Sequence, residues 1–158
     1  MILTGVSMLV VALDQLTKFF VLESLPLNQS VPVWPDHFYL TYIQNRGTAF
    51  GFMSDMDSDI RIPFFVIVTI AAAFIIYNYQ RVIREENLMS QIALGLVWGG
   101  ALGNLVDRLV YGKVIDFIDV RYDNLRWLVF NVADSFVVLG LLYLFFEFVI
   151  KIKQKKFA

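Results

Sequence analysis

The sequence has no cysteine and only one histidine, His37, among its 158 residues. The lack of cysteine excludes disulfides, thiol nucleophiles and cysteine metal sites. A single histidine leaves no His-Glu-x-x-His zinc motif, and the Gly-x-Ser-x-Gly nucleophile elbow is also missing. Of the side chains that commonly serve as catalytic groups, carboxylates are therefore the best supplied.

Charged residues are scarce, at 17% of the chain, and they nearly balance to a net charge of −1. This balance provides no basic surface of the kind that binds nucleic acid, so we expect no nucleic-acid partner. Hydrophobic residues make up 58% of the chain. Because soluble domains contain roughly 45–50%, the composition indicates a membrane protein.

Four apolar runs are long enough to cross a bilayer core of roughly 30 Å as helices. They cover about residues 2–22, 62–79, 88–110 and 132–150. The first run lacks a basic start and a small-residue cleavage site, so we expect it to be retained rather than removed as a signal peptide. We predict an all-α membrane protein with four transmembrane helices, in which residues 1–158 form one domain.

Basic residues indicate how the chain lies in the membrane. Those that follow the fourth run or lie between the second and third are Lys151, Lys153, Lys155, Lys156, Arg81 and Arg84. Because such segments stay in the cytoplasm, we expect both termini to be cytoplasmic and residues 23–61 and 111–131 to be outside.

The outer segments contain patterns that are typical of strands. Residues 38–43 are rich in aromatic and β-branched side chains, and Asn45-Arg-Gly47 is a turn signal. Residues 114–120 and 127–130 are further strand candidates. We predict a small extracytoplasmic β-cradle at the membrane surface, where exposed sheet edges are tolerated.

The third run carries Gly95, Gly99 and Gly103 at intervals of four residues. This spacing places the three glycines on one helix face, where they permit close approach of a neighbouring backbone. We therefore predict that this face packs against another helix.

Ionisable residues within membrane spans usually face a protein interior or a water-filled cavity. Asp14 and Lys18 are four residues apart, so they can pair on one helix face. Asn104, Asp107 and Arg108 end the third run at spacings of three and four, which also predicts one face. A structural ion pair would explain the first group equally well, and a solvated helix end would explain the second.

Asp116 and Asp134 are the candidate catalytic carboxylates. Asp116 has apolar neighbours, a setting that raises the pKa of a carboxyl, whereas Asp134 lies where a helix dipole favours a negative side chain. If they meet, one protonated and one ionised carboxyl would activate a water for attack on a peptide bond. The structural alternatives are a helix cap formed by Asp134 with Asn131 and an exposed loop position for Asp116. Spacing alone does not bring the two aspartates together.

Five segments resemble, in order, the motifs of the lipoprotein signal peptidases, also called signal peptidase II. They are Asp14-Gln-Leu-Thr-Lys18, Asn45-Arg-Gly-Thr-Ala-Phe-Gly51, Gly99-Gly-Ala-Leu-Gly-Asn-Leu-Val-Asp-Arg108, Val114-Ile-Asp-Phe117 and Phe130-Asn-Val-Ala-Asp134. Each motif is weak alone, but the set spans most of the chain.

The resemblance implies an aspartic endopeptidase that cleaves diacylglyceryl-modified prolipoproteins just before the lipid-bearing cysteine, with Asp116 and Asp134 as the catalytic pair. It also implies a monomer in the bacterial cytoplasmic (inner) membrane, with membrane lipid around it, its active site near the outer leaflet, and no cofactor or metal. The residues implied to support the site or contact the substrate are Asn45, Gly47, Asn104, Asp107, Arg108 and Asn131, with Asp14 and Lys18 structural or near the site.

Two other classes of protein account for part of the pattern. In a small membrane transporter or proton-conducting subunit, Asp14, Lys18, Asp107 and Asp134 would relay charge across the bilayer. The middles of the second and fourth runs, however, offer no polar path. A non-catalytic membrane assembly factor would explain the glycine face but not the paired carboxylates.

We expect peptidase activity to survive metal chelators and thiol reagents, because the chain offers no cysteine and only one histidine. Cleavage of a lipidated substrate peptide, measured with and without each reagent, tests this expectation. Loss of activity with a chelator, restored by added metal, would contradict it.

Overall fold

The structure is a computed structural model that describes residues 1–47, 53, 55–82, 87–122 and 125–156. Over these residues the elements are α1 (Ile2–Ser24), β1 (Ser30–Trp34), β2 (Phe38–Asn45), α2 (Ser58–Val82), α3 (Leu88–Tyr111), β3 (Val114–Tyr122), β4 (Leu125–Arg126) and α4 (Val132–Lys156). Each helix is long and apolar enough to cross a bilayer, as predicted.

Two helices extend several residues beyond their predicted bounds, and one predicted strand is not formed. Helix α2 begins at Ser58 and α4 continues to Lys156, because helical hydrogen bonding continues beyond the apolar run that defines a span. The prediction of a strand over 127–130 was wrong. Instead β4 pairs with the end of β3, and of residues 127–130 Phe130 alone makes a β-bridge, to Ile118.

Helix α3 is the centre of the bundle and packs against α1, α2 and α4. Its glycine face lies against α1, which confirms the predicted helix packing. A Cβ atom added to Gly99 would lie 2.8 Å from the carbonyl oxygen of Ser7, and one added to Gly95 would lie 2.9 Å from that of Leu3. Side chains at these positions would therefore force the two helices apart.

The outward faces of α2 and α4 are covered by large exposed apolar side chains. These include Ile67, Ile70, Phe74 and Ile75 on α2 and Leu139, Leu141, Phe145 and Phe148 on α4. Apolar surface on this scale is not left in contact with water by a monomeric soluble protein. Both helices therefore face lipid.

Within the described residues the strands form one antiparallel sheet in the order β1-β2-β3-β4. The sheet packs onto the last turns of α1 through a buried cluster of Val21, Tyr42, Ile115 and Phe117. The sheet therefore lies at the end of the bundle where α1 and α3 finish and α4 begins. It contains the strands that were predicted near residues 38–43 and 114–120.

Asp119, which the sequence analysis did not single out, ties the strands to one another. Its buried carboxylate accepts hydrogen bonds from Thr41 Oγ1 (2.6 Å), Arg121 and Arg126 Nη2 (2.7 Å), and Thr41 is bonded to Ser30 on β1. Burial alone would raise the pKa of Asp119, but these hydrogen bonds outweigh it and hold the pKa well below its usual range. The ionised carboxylate thus connects β1, β2, β3 and β4.

We expect Asp119→Asn to lower the free energy of unfolding by about 2 kcal/mol at pH 7. The loss is smaller than the roughly 3–5 kcal/mol of a fully buried ion pair because both arginines reach solvent. Since the folded-state pKa is lowered, this stability is present above the unfolded carboxyl pKa of about 4 and is lost as the pH falls below it. The difference from wild type should therefore shrink in acid.

Thermal unfolding of the detergent-purified protein at neutral and acid pH measures the effect. Asp36→Asn is the matched control, because Asp36 is exposed in the β1–β2 turn and asparagine tolerates its positive φ. Equal melting temperatures for Asp119→Asn and wild type at pH 7 would show that the cluster does not stabilise the sheet.

Candidate active site

A backbone bridge at Phe130 brings two of the motif segments together. The carbonyl oxygen of Phe130 accepts hydrogen bonds from the amides of Ile118 (2.7 Å) and Phe117 (3.0 Å), and its own amide donates to the Ile118 oxygen. Residue 131 is thereby set beside β3. As a result, the start of α4 lies next to Asp116.

Asn131 caps α4, and the cap fixes Asp134. The Asp134 amide donates to Asn131 Oδ1 (2.9 Å), and the Asn131 amide donates in return to Asp134 Oδ2 (3.2 Å). The Ala133 amide donates to Asp14 Oδ1 on α1 (3.0 Å). The helix cap considered as a structural role for Asp134 is thus confirmed. It leaves Asp134 Oδ1 available for other partners.

Side-chain amides link the two aspartates. Asn131 Nδ2 donates to Asp116 Oδ1 (2.7 Å) and to Asn104 Oδ1 (3.0 Å), and Asn104 Nδ2 donates to Asp134 Oδ1 (2.8 Å). Asn45 Nδ2 donates to the second oxygen of Asp116 (2.9 Å). Asp116 and Asp134, which are 18 positions apart in the sequence, therefore share one hydrogen-bond network.

Asp116 is only 2% exposed, so its alternative as an exposed loop carboxylate is wrong. Burial raises the pKa of Asp116 to about 6, and the charge of Asp134 contributes to the rise. Hydrogen bonds from Asn45 and Asn131 act in the opposite direction, because they stabilise the ionised form. Asp116 therefore keeps its proton to a higher pH than an ordinary carboxyl group does.

Both carboxyl groups line an open cavity of about 1400 Å³ between the sheet and α4. The predicted site residues that line it with them are Asn45, Gly47, Asn104 and Arg108. One wall is apolar and comes from the approach to α4 and its first turns, namely Leu128, Val129, Phe130, Val137, Val138 and Leu139. The cavity therefore combines a polar floor with an apolar side, a combination that suits an extended amphipathic ligand.

Gly47 and Arg108 meet at the edge of this cavity. The Gly47 amide donates to Asn45 Oδ1 (3.0 Å), and Arg108 Nη2 lies 3.5 Å from the Gly47 oxygen. The Arg108 guanidinium also stacks over the ring of Phe65 at 3.9 Å. The rest of the second motif, residues 48–51, lies outside the described residues.

Asp14, Lys18 and Asp107 do not line the cavity but form a buried charge cluster behind Asn104. Lys18 Nζ lies 2.7 Å from Asp14 Oδ2 and 2.8 Å from Asp107 Oδ2. The prediction that Asn104, Asp107 and Arg108 share one face was therefore only partly right. At 100° per residue, Asp107 and Arg108 diverge to either side of Asn104, so that Asp107 faces α1 and Arg108 faces the cavity.

Three residues at or near the site were missed by the sequence analysis. Gln15 donates to Asp107 Oδ1 (2.9 Å) and to the Gly103 oxygen (3.2 Å), and its signal was a polar amide within a membrane span. Arg126 and Trp127 line the cavity but gave no signal, because a loop position alone does not indicate what it faces. Among the described residues, no group of three His, Cys, Asp or Glu side chains is arranged to hold a metal ion. Independence from metal stays a prediction.

Membrane-crossing helices topped by a small sheet, with two carboxyl groups networked at a cavity, define a polytopic membrane protein with a dicarboxylate site. Such a site suits water activation by general acid–base chemistry. We therefore expect the relatives of this chain to be membrane proteins with a similar dicarboxylate site.

Comparison with known proteins identifies that class more closely. The family model described as signal peptidase (SPase) II matches residues 6–150. The lipoprotein signal peptidase of Syntrophotalea carbinolica is 42% identical over 139 residues, which are 88% of this chain and 85% of that protein. The lipoprotein signal peptidase of Syntrophus aciditrophicus is 44% identical over 147 residues, covering 93% and 91%. A bacterial membrane enzyme solved by the in meso method at 2.3 Å resolution has a TM-score of 0.83 and 30% identity, covering 95% of this chain and 88% of that one.

The chain belongs to the signal peptidase II family of aspartic-type peptidases and is a multi-pass membrane protein. The family resemblance and the fold class inferred from the sequence are both confirmed. Family membership favours the enzyme over the transporter and the assembly factor.

Proposed function

We propose that this chain removes the signal peptide from diacylglyceryl-modified prolipoproteins, cutting the bond just before the lipid-bearing cysteine, with Asp116 and Asp134 as the catalytic pair. Prolipoprotein signal peptide cleavage by an aspartic peptidase follows from its family. One observation carries the assignment of the pair. Asn131 joins the two carboxyl groups, since its side chain donates to Asp116 and its backbone amide donates to Asp134.

In the proposed reaction the pair holds one proton between its two carboxyl groups and orients a water molecule. The ionised carboxylate accepts a proton from this water as the water oxygen attacks the scissile carbonyl carbon. The protonated carboxyl donates to the developing oxyanion. When the tetrahedral intermediate collapses, the C–N bond breaks and the carboxyl that took the proton from water gives it to the leaving amine of the cysteine. The other carboxylate takes a hydroxyl proton from the intermediate as the carbonyl re-forms, which restores the singly protonated pair. No covalent enzyme intermediate or metal is required.

The remaining site residues are proposed as supports for this chemistry. Amides suit the role, because an amide donates to a carboxylate without adding a charge of its own. The proposed supports are Asn45, Gly47, Asn104 and Arg108, which line the cavity, and Asn131, Asp107, Asp14 and Lys18, which are buried behind it.

The apolar wall of the cavity supports the proposal that the substrate enters from the membrane. Val138 and Leu139 belong both to this wall and to the lipid-facing surface of α4. A substrate held in the membrane by two acyl chains and a signal helix would present its scissile bond at a fixed depth. This anchoring would place the bond beside the carboxyl pair and reduce the entropy lost on binding. We therefore include membrane lipid and lipidated prolipoprotein as partners.

We further propose that both termini are cytoplasmic and that the site lies near the outer leaflet of the bacterial cytoplasmic membrane. Lys151 and Lys153 lie at the end of α4 far from the sheet, and basic residues at helix ends favour the cytoplasmic side. The proposed site draws on α1, β2, α3, β3 and α4 of one chain. This supports a monomer in which residues 1–158 form one domain.

We expect Asp116→Asn and Asp134→Asn each to reduce cleavage by about 1000-fold or more, because each removes a group that must exchange protons. The assay uses a synthetic diacylglyceryl-modified prolipoprotein peptide, with the unlipidated peptide alongside and the purified protein in detergent. Asp36→Asn is the control for loss of a carboxylate outside the cavity. Substantial activity in either folded variant would refute the pair assignment. No cleavage by folded wild type would direct attention to ion-flux assays.

The pH dependence of kcat/KM should show a fall as the pH rises above about 6, where Asp116 loses its proton and the pair becomes doubly charged. Asn45→Ala should move this fall to higher pH, because it removes a hydrogen bond that lowers the pKa of Asp116. Initial rates at low substrate concentration between pH 5 and 8 measure both profiles. A flat wild-type profile, or a shift to lower pH in the variant, would be inconsistent with a singly protonated pair.

A further inference from the structure

Lys18 is a buried lysine that does not reach the cavity but contacts a residue that binds Asp134. It is 2% exposed, and Asp14 and Asp107 are fully buried. Its ammonium group lies 2.7 Å from Asp14 Oδ2, 2.8 Å from Asp107 Oδ2 and 3.1 Å from Asn104 Oδ1. An ammonium has three N–H donors, so each donor has an acceptor.

We propose that Lys18 is a positioning residue that sets the orientation of the Asn104 amide and, through it, the catalytic Asp134. The inference rests on the proposed role of Asp134. A lysine ammonium only donates hydrogen bonds, so the oxygen of the Asn104 amide has to face it. The NH2 group of the amide then faces Asp134 Oδ1, at 2.8 Å.

A reversed Asn104 amide would be opposed at every contact. Its NH2 group would meet the Lys18 ammonium, and its oxygen would meet the carboxylate of Asp134. It would also lose the bond from Asn131 Nδ2, which donates to Asn104 Oδ1 and to Asp116 Oδ1. The single ammonium therefore orients the donors on both sides of the carboxyl pair.

The two carboxylates that hold Lys18 are each fixed to a segment of the catalytic pair. Asp14 Oδ1 accepts from the amide of Ala133, the residue before Asp134. Asp107 Oδ2 accepts from the amide of Ile115, the residue before Asp116, at 2.9 Å. The position of the ammonium is thereby fixed relative to the backbone next to both catalytic aspartates.

A charge-compensated variant is needed to test this role. Lys18→Met alone would leave two buried carboxylates without their cation, which destabilises a protein strongly. The double variant Asp14→Asn/Lys18→Met removes one charge of each sign, and asparagine keeps an oxygen for the Ala133 amide. Asp107→Asn/Lys18→Met is the second variant of the same design, in case the first fails to fold.

Because Lys18 does not line the cavity, its loss should change kcat and not substrate binding. We expect kcat on the lipidated peptide to fall by about tenfold or more in the double variant relative to Asp14→Asn alone, with KM within about twofold. The structural control is Ser7→Ala, which removes a hydroxyl that bonds the Gly95 oxygen at 3.1 Å and so weakens the α1–α3 contact far from Asn104. It should lower the melting temperature while kcat and KM stay as in wild type.

Each outcome distinguishes the inference from the proposed function on which it rests. Wild-type kcat in a folded double variant, or a raised KM with unchanged kcat, would overturn the positioning role while leaving the peptidase intact. A parallel loss of kcat in Ser7→Ala would overturn it too, because helix packing alone would then explain the effect. Failure of the wild type to cleave the lipidated peptide would overturn both.

Discussion

Helix α4 starts inside the protein, where the N–H groups of its first turn need partners that bulk water does not supply. Asp14 accepts from the amide of Ala133 and Asn131 accepts from that of Asp134, while the Asp134 carboxylate accepts in return from the Asn131 amide. This constraint organises the site. The same groups that satisfy the helix end fix one carboxyl group of the pair and attach α4 to α1.

The start of α4 is connected to a network of polar side chains, and nearly all of these side chains find their hydrogen-bond partners within the network. Asn104 and Asn131 each donate and accept, so they join carboxylates without adding charge. Behind them, Lys18 offsets Asp14 and Asp107, which are too deeply buried to be stable alone. The result is a hydrogen-bonded polar core within an apolar bundle, with the cavity as its open side.

Three parts of the surrounding structure have different roles. Glycines on α3 allow α1 to approach closely enough for the polar core to form. Asp119 connects the strands that form one wall of the cavity. Helices α2 and α4 present apolar side chains to lipid. A membrane-embedded peptidase needs all three, because its chemistry requires water and polar groups within an apolar surrounding.

The sequence by itself determined the features that depend on local pattern. Four spans follow from run length, because crossing hydrocarbon takes about 20 apolar residues. The cap between Asn131 and Asp134 follows from a spacing of three, and the family follows from five ordered motifs. Only the tertiary structure decided that Asp116 and Asp134 share one hydrogen-bond network, since that depends on the bridge between Phe130 and Ile118. It also decided that Asp107 turns away from Arg108 and that Asp119 holds the sheet. Such contacts join residues distant in sequence, and their geometry is set by how whole helices and strands pack rather than by any local spacing.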